Sequence, residues 1–328
     1  MNFSPILETR ALNRSTLLAR DLVHRTALAE VLLTDVRPDR EHTFTAAAQW
    51  ARSHPTFDRA GDGRHNPLLV AETMRQLGIC IPAQFYPVPP GARFLIEELA
   101  FSLDAAAEPR AGYGGSELTC GVLVDVLQAG SAGMVQRLRL TVRYHAEGRE
   151  FAQADGIARF LPPAAYAAVR SRRCGISAMP LQSLSPESQT SKTPTPAVHL
   201  TRPATADPTL LGLARHQDLL IGLDSDDRIR LVPADPFHPF FYDHFSDHVP
   251  GMVLIEAVRQ AALHRAAAPG WRMAACALRA LSFTEPDPPA EIVCAVTGSV
   301  ADFEVRQFGA ATAVGSLHFE PQRAWGQP

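Results

Sequence analysis

Short stretches of alternating hydrophobic and polar residues are broken twice by a longer stretch with helical periodicity, and the whole order occurs twice along the chain. In the first half Leu28–Val36 and His42–Trp50 read as strands and Ala51–Asn66 as a loop. Pro67 to about Ala83 reads as a helix, because its opening proline suits a first turn and its apolar residues recur at helical spacing. Four β-rich stretches follow, Arg93–Leu103, Glu117–Gln128, Met134–His145 and Glu150–Phe160, and then a short amphipathic helix over Pro162–Arg173. Ala178–Pro208 is rich in proline, serine and threonine, has no apolar period, and reads as a linker. Beyond it, Leu219–Leu223 and Arg228–Val232 read as short strands. A loop rich in histidine and phenylalanine runs to Val249, and a helix from Gly251 to about Ala267 stops at Pro269-Gly270. Arg272–Phe283, Glu291–Gly298, Phe303–Phe308 and Ala313–Phe319 are the later strands.

The repetition extends to individual residues. An ungapped offset of 184 lays His54-Pro55 on His238-Pro239, Phe57 on Phe241, Glu72 on Glu256, and Arg75-Gln76 on Arg259-Gln260. Tandem duplication is the economical explanation. The expected fold class is α+β: on each side of the linker an antiparallel sheet wraps a long central helix, and the two units pair through their sheets. The expected domains are 1–177 and 209–328, joined by 178–208.

Composition narrows the chemistry. The chain has 328 residues, 46% of them hydrophobic, and a net charge of −3, so no basic face for nucleic acid is implied. No uncharged apolar run of about 18 residues suggests a membrane span, and the amino terminus lacks a basic-then-apolar leader, so the expected location is the cytoplasm. Five scattered cysteines, Cys80, Cys120, Cys174, Cys276 and Cys294, form no C-x-x-C pair and read as reduced core thiols. Lys192, the only lysine, falls in the linker, which counts against Schiff-base chemistry and a P-loop. Asp243-His244 and Asp247-His248 hold the residue types of a metal site, but flanking prolines oppose a helix that would align them, and no metal or other cofactor is expected.

The segment Phe240 to Gln260 resembles the active-site region of hot-dog-fold β-hydroxyacyl-carrier-protein dehydratases, whose catalytic pair falls by motif position on His244 and Glu256. Two residues are missing between this histidine and Pro250, and arginine precedes Gln260. A second resemblance covers nearly the whole chain. Val23-His24-Arg25, Glu30 to Asp35, Arg52-Ser53-His54-Pro55, His65 to Gln76, and Asp247 to Met252 are similar to the A-factor biosynthesis (AfsA-type) proteins. That resemblance implies a double hot-dog fold and transfer of a β-ketoacyl group from a carrier thioester to the hydroxyl of dihydroxyacetone phosphate. The carrier would be acyl carrier protein or coenzyme A, and the product would lead to γ-butyrolactone, butenolide or furan signals. The rival readings are a hot-dog dehydratase or thioesterase and a non-catalytic module that binds an acyl ligand. A monomer and a homodimer are equally compatible with the sequence.

Acyl transfer needs a base for the hydroxyl proton and donors for the oxygen that becomes negative. His244 is the expected base, with His248 and His54 as further catalytic candidates. The Val249–Met252 amides, with Gly251 and Met252 opening the second helix, are the expected oxyanion donors. Glu72 and Glu256 interrupt apolar helices, and in hot-dog dimers the acid comes from the opposite unit. Glu72 is therefore expected to face the His244 loop, and Glu256 the His54/His65 loop. The alternative is that each pairs with the arginine three residues on, Arg75 or Arg259. Those arginines could instead hold a phosphate or a carrier's phosphopantetheine. Gln76, Gln260, His65 and His238 complete the expected substrate contacts, although His54 and His238, each before a proline, could simply shape their loops. Ala60 stands where a partner for His244 would fall in the first half, so one of the two sites is expected to dominate.

Overall fold

A computed structural model describes residues 11–52, 54, 56, 63–110, 112–173 and 204–321. The first half comprises β1 (Leu33–Arg40), β2 (Thr43–Trp50), α1 (Leu68–Phe85), β3 (Arg93–Leu103), β4 (Ser116–Ala129), β5 (Val135–Ala146), β6 (Arg149–Leu161) and α2 (Pro163–Arg173). The second comprises β7 (Ala204–Thr205), β8 (Ile221–Leu223), β9 (Ile229–Leu231), α3 (Gly251–Ala266), β10 (Trp271–Ala280), β11 (Glu291–Thr297), β12 (Val300–Gln307) and β13 (Ala310–Pro321). All thirteen strands join one antiparallel sheet in the order β1-β2-β4-β5-β6-β3-β10-β13-β12-β11-β9-β8-β7. Read outward from its centre, each half has the same connectivity, with β7 added at one edge. The centre is the pairing of β3 with β10, from Ser102 opposite Ala275 to Glu98 opposite Arg279. This is the double hot-dog architecture that the repeated pattern implies.

Each sheet curls around its helix because the helix has almost no polar face. Along α1 the buried residues run from Leu68 to Pro82, and along α3 from Met252 to Leu263. A helix apolar on nearly all sides has to be enclosed. Trp50, Tyr144 and Phe151 close over α1 from the strands, with the Tyr144 hydroxyl donating to the Val70 carbonyl at 3.0 Å and the Trp50 indole to Thr73 at 2.9 Å.

Two differences from the expected elements have local causes. Leu28–Glu30 is a 3-10 turn, so β1 begins at Leu33 and runs through the polar residues Arg37 to Arg40, which an edge strand can expose. The carboxyl end of the expected linker is ordered. Ala204 and Thr205 pair with Leu223 and Gly222, and Leu211 is buried at the end of the 3-10 turn Pro208–Leu211, capped by Asp207. The rest of that linker, with Cys174, lies outside the described residues. The other four cysteines carry free thiols, and burial raises their pKa values. No helix among the described residues is long and apolar enough to cross a membrane.

Candidate active site

The two halves meet where residues 23–27 dock on the loop from Phe240 to His244. A 3-10 turn over Arg20–Val23 ends at His24 in the left-handed region (φ 52°), which swings Arg25 inward. Arg25 donates to the Phe240 carbonyl at 2.8 Å and lies 4.8 Å over the Phe240 ring. Asp243 accepts the Thr26 and Ala27 amides, which fixes the following residue, His244. Its imidazole lies 4.3 Å from that of His24, centroid to centroid.

Glu72 anchors this seam from α1. Fully buried, it accepts from Arg25 at 3.0 Å, Arg75 at 2.8 Å and Gln76 at 2.6 Å. Burial alone would raise its pKa, but Arg25 and Arg75 outweigh that and bring it down to about 2. Glu72 thus reaches the loop of the second half only through Arg25, which takes the place of the direct approach expected from the sequence. Glu256 departs further from that expectation. Its described partners, Arg259 at 2.6 Å and Gln260 at 2.8 Å, both lie on its own helix, where spacings of three and four bring them within reach. Gln76 and Gln260 do equivalent work, each also bridging a backbone carbonyl and an amide of the strand-entry segment, Glu30 with Leu32 and Asp218 with Leu220.

His24 and His244 sit among cations. Burial, then His244, then Arg75, Arg93 and Arg25 bring the His24 pKa down to about 4. Burial and Arg75 also lower that of His244, although Asp243 opposes them from 3.6 Å. Both rings are therefore neutral at pH 7, and the surplus positive charge around them is that of the guanidiniums. Among the described residues Arg93 forms no ion pair; it lies 5.8 Å over the Tyr166 ring. Next to this pocket, α1 and the sheet line a half-open apolar cavity whose wall includes Arg75.

The amide donors expected at the start of α3 are fewer than the sequence suggested. Val249 N–H is spent on the Thr284 carbonyl at 2.8 Å, and Pro250 has none. Gly251 and Met252 remain, in the first turn where helix geometry leaves N–H groups without an intrahelical acceptor. Gly251 packs near Ile96 of β3, which lines the same cavity.

The other histidines form separate clusters. His54 bonds Glu30 at 3.1 Å and accepts the Thr56 amide, and His238 bonds Asp218 at 3.0 Å and accepts the Phe240 amide. These matching buried pairs hold the loops before α1 and α3. His65 bonds Ser116 at 2.7 Å and meets Trp50 edge-on. His248 bonds Asp247 at 2.9 Å and packs on Phe283, in a cluster where α2 contributes Tyr166 and Arg170. Arg170 is spent on Glu285 at 2.6 Å. No group of three potential metal ligands occurs among the described residues.

Duplication would place a second pocket around Arg272, which occupies on β10 the ladder position that Arg93 has on β3. The strand neighbours differ: Arg93 lies opposite Leu161, and Arg272 opposite Glu320. With Arg64 and Glu108 these charges form a mostly buried quartet, including Arg64–Glu320 at 2.7 Å and a short Arg272–Glu108 contact. Cationic charge is thus neutralised on one side of the pseudo-dyad and left available on the other.

A family model described as the A-factor biosynthesis hotdog domain (AfsA) matches residues 8–162 and 199–314. The chain belongs to this family. It is 33% identical over 250 residues to a 2-oxo-3-(phosphooxy)propyl 3-oxoalkanoate synthase of Streptomyces virginiae, covering 74% of this chain and 75% of that protein. Identity to a synthase of the same name from Streptomyces griseus is 32% over 246 residues, covering 74% and 73%. Among solved structures, an acyl-ACP thioesterase from Bacteroides thetaiotaomicron VPI-5482 superposes with a TM-score of 0.46 at 12% identity, covering 87% of this chain and 100% of that one.

Three residues of this AfsA-family site, His24, Arg25 and Arg93, are absent from the sequence-based candidates. His24 and Arg25 lie within the string Val23-His24-Arg25 that marks the family resemblance, so a signal for them existed. Arg93 is one of many arginines on strands, and nothing in its local pattern sets it apart.

Proposed function

We propose that this protein is an acyltransferase that moves a 3-oxoacyl group from a carrier thioester to the free hydroxyl of dihydroxyacetone phosphate. The observation that carries the reading is the close pair of imidazoles, His24 and His244, set among arginines beside an apolar cavity whose wall includes Arg75. A phosphate suits the guanidiniums, and a hydroxyl a few bonds away suits a neutral histidine. The name of the Streptomyces relatives describes an ester of these two halves.

In this reading Arg75 and Arg93, with His24, bind the phosphate. His244 accepts the hydroxyl proton as that oxygen attacks the thioester carbonyl. The carbonyl oxygen becomes an alkoxide beside the Gly251 and Met252 amides, whose helix-end dipole favours negative charge. Collapse of this intermediate re-forms the carbonyl and breaks the C–S bond, and His244 returns its proton to the departing thiolate. The carrier's thiol and the phosphorylated ester leave. Glu72 with Gln76, and Glu256 with Arg259 and Gln260, position the helices, while His54 and His238 shape the loops. His248 belongs to the rim through Asp247 and Tyr166. His65 supports the first half from beneath Trp50.

Both acyl carrier protein and coenzyme A present the same phosphopantetheine thioester, and neither is distinguished by the pocket. Incubation of the protein with a 3-oxoacyl thioester, with and without dihydroxyacetone phosphate, tests the assignment. The expected result is release of thiol that depends on the acceptor, with the ester found by mass spectrometry. Thiol release at the same rate without the acceptor would replace transfer with hydrolysis, and binding without turnover would favour a ligand-binding module.

A further inference from the structure

The cavity beside the polar pocket lies between α1 and strands β3, β5 and β6, lined chiefly by Met74, Gly78, Phe94, Ile96, Leu140 and Gly156. Arg75 connects it to the pocket, since its guanidinium acts on both His24 and His244 while its helical turn forms part of the cavity wall. Gly78 stands one turn further along α1, on the same face as Met74 and Arg75. Two glycines line this space. A Cβ on Gly156 would come within 2.6 Å of the Met74 terminal methyl and 3.0 Å of the Glu98 carbonyl, so a side chain there would crowd Met74 and the adjoining strand β3. At Gly78 a Cβ would make ordinary contacts of 3.6 Å with Phe94 and 3.9 Å with Leu140, and anything larger would project into the void. A helix this thoroughly packed would gain from alanine at position 78, since glycine costs up to about 1 kcal/mol in a helix interior. Space is kept there instead.

We propose that this cavity receives the hydrocarbon tail of the acyl group, and that Gly78 and Phe94 together set the longest chain accepted. The inference rests on the acyl-transfer reading and adds to it where the chain lies and which residues limit its length. The lining is almost entirely apolar, as a hydrocarbon tail requires. Each methylene buried on such a wall adds about fourfold to kcat/KM until the chain meets Phe94.

The test is a chain-length profile. Initial rates of transfer to dihydroxyacetone phosphate are measured with 3-oxobutanoyl, 3-oxohexanoyl, 3-oxooctanoyl, 3-oxodecanoyl and 3-oxododecanoyl thioesters of coenzyme A for the wild type, Gly78→Ala, Gly78→Leu and Phe94→Ala. In Gly78→Leu the ratio of kcat/KM for 3-oxodecanoyl over 3-oxobutanoyl falls at least 30-fold, with a smaller fall in Gly78→Ala. Phe94→Ala moves the optimum to a longer chain, a gain that misfolding cannot imitate. If the wild type transfers to the acceptor but all four proteins keep parallel profiles, the cavity assignment is overturned and the acyl-transfer reading stands. A wild type that transfers none of the five overturns both.

Discussion

Replacing Glu72 with glutamine tests the seam more sharply than any other single change. The substitution keeps size and shape but removes the negative charge that Arg25 and Arg75 share, their side chains being 4% and 11% exposed. Removing one partner of a buried ion pair costs about 3–5 kcal/mol, because the other charge stays behind without compensation. Unfolding entropy of about 2.1 cal/mol/K per residue sums to about 0.7 kcal/mol/K over 328 residues, so Tm should fall by about 4–7 °C. Calorimetry at pH 7 measures this directly. The double variant Glu72→Gln/Arg25→Leu should recover part of the loss, since it no longer buries the Arg25 charge. A Tm within 1 °C of wild type in Glu72→Gln would mean that the carboxylate is not the counter-charge described here, and losses that simply add in the double variant would mean that Glu72 and Arg25 do not interact. The pH dependence has a definite sign. Glu72 has its pKa lowered from 4.5 to about 2 on folding, so its stabilisation is fully present above about pH 4.5 and disappears as the pH falls toward 2. The shift corresponds to about 3 kcal/mol of acid-sensitive stability, which Glu72→Gln should lack.

His244→Ala should lower kcat by 10²–10⁴, the usual range for loss of a general base, without altering Tm by more than a degree or two; a fall under fivefold would remove it from the mechanism. Because burial and Arg75 lower its pKa, the acid limb of the wild-type kcat/KM profile should have its midpoint below 6.5, and a midpoint above 7 would contradict the assignment. Arg93→Met should raise KM for dihydroxyacetone phosphate about tenfold or more and leave KM for the thioester nearly unchanged, as measured by varying each substrate in turn. In Glu108→Gln the quartet at the pseudo-equivalent position loses charge, so Tm should drop by several degrees while kcat/KM stays within about threefold; a loss of activity in step with the Arg93 variant would place chemistry on both sides of the molecule.

The duplication was readable from the chain alone, and with it the architecture. Glu72-x-x-Arg75-Gln76 and Glu256-x-x-Arg259-Gln260 are local patterns on helices, and helical spacing alone brings each glutamate to its arginine and glutamine. Hydrophobic periodicity likewise carried the strands and the two enclosed helices, because burying a face imposes a period that survives in sequence. What lay beyond the sequence was which polar groups meet across the halves. Arg25 contacts Phe240 over 215 positions, and His24 meets His244 only because a left-handed residue ends one turn and Asp243 caps the opposing segment. The loss of symmetry depends equally on three-dimensional neighbours: Leu161 against Arg93 and Glu320 against Arg272 are ordinary residues on their own strands. Only the cross-strand register makes one arginine available to a ligand and neutralises the other, since the field at a site sums over every charge near it in space, wherever each lies in the chain.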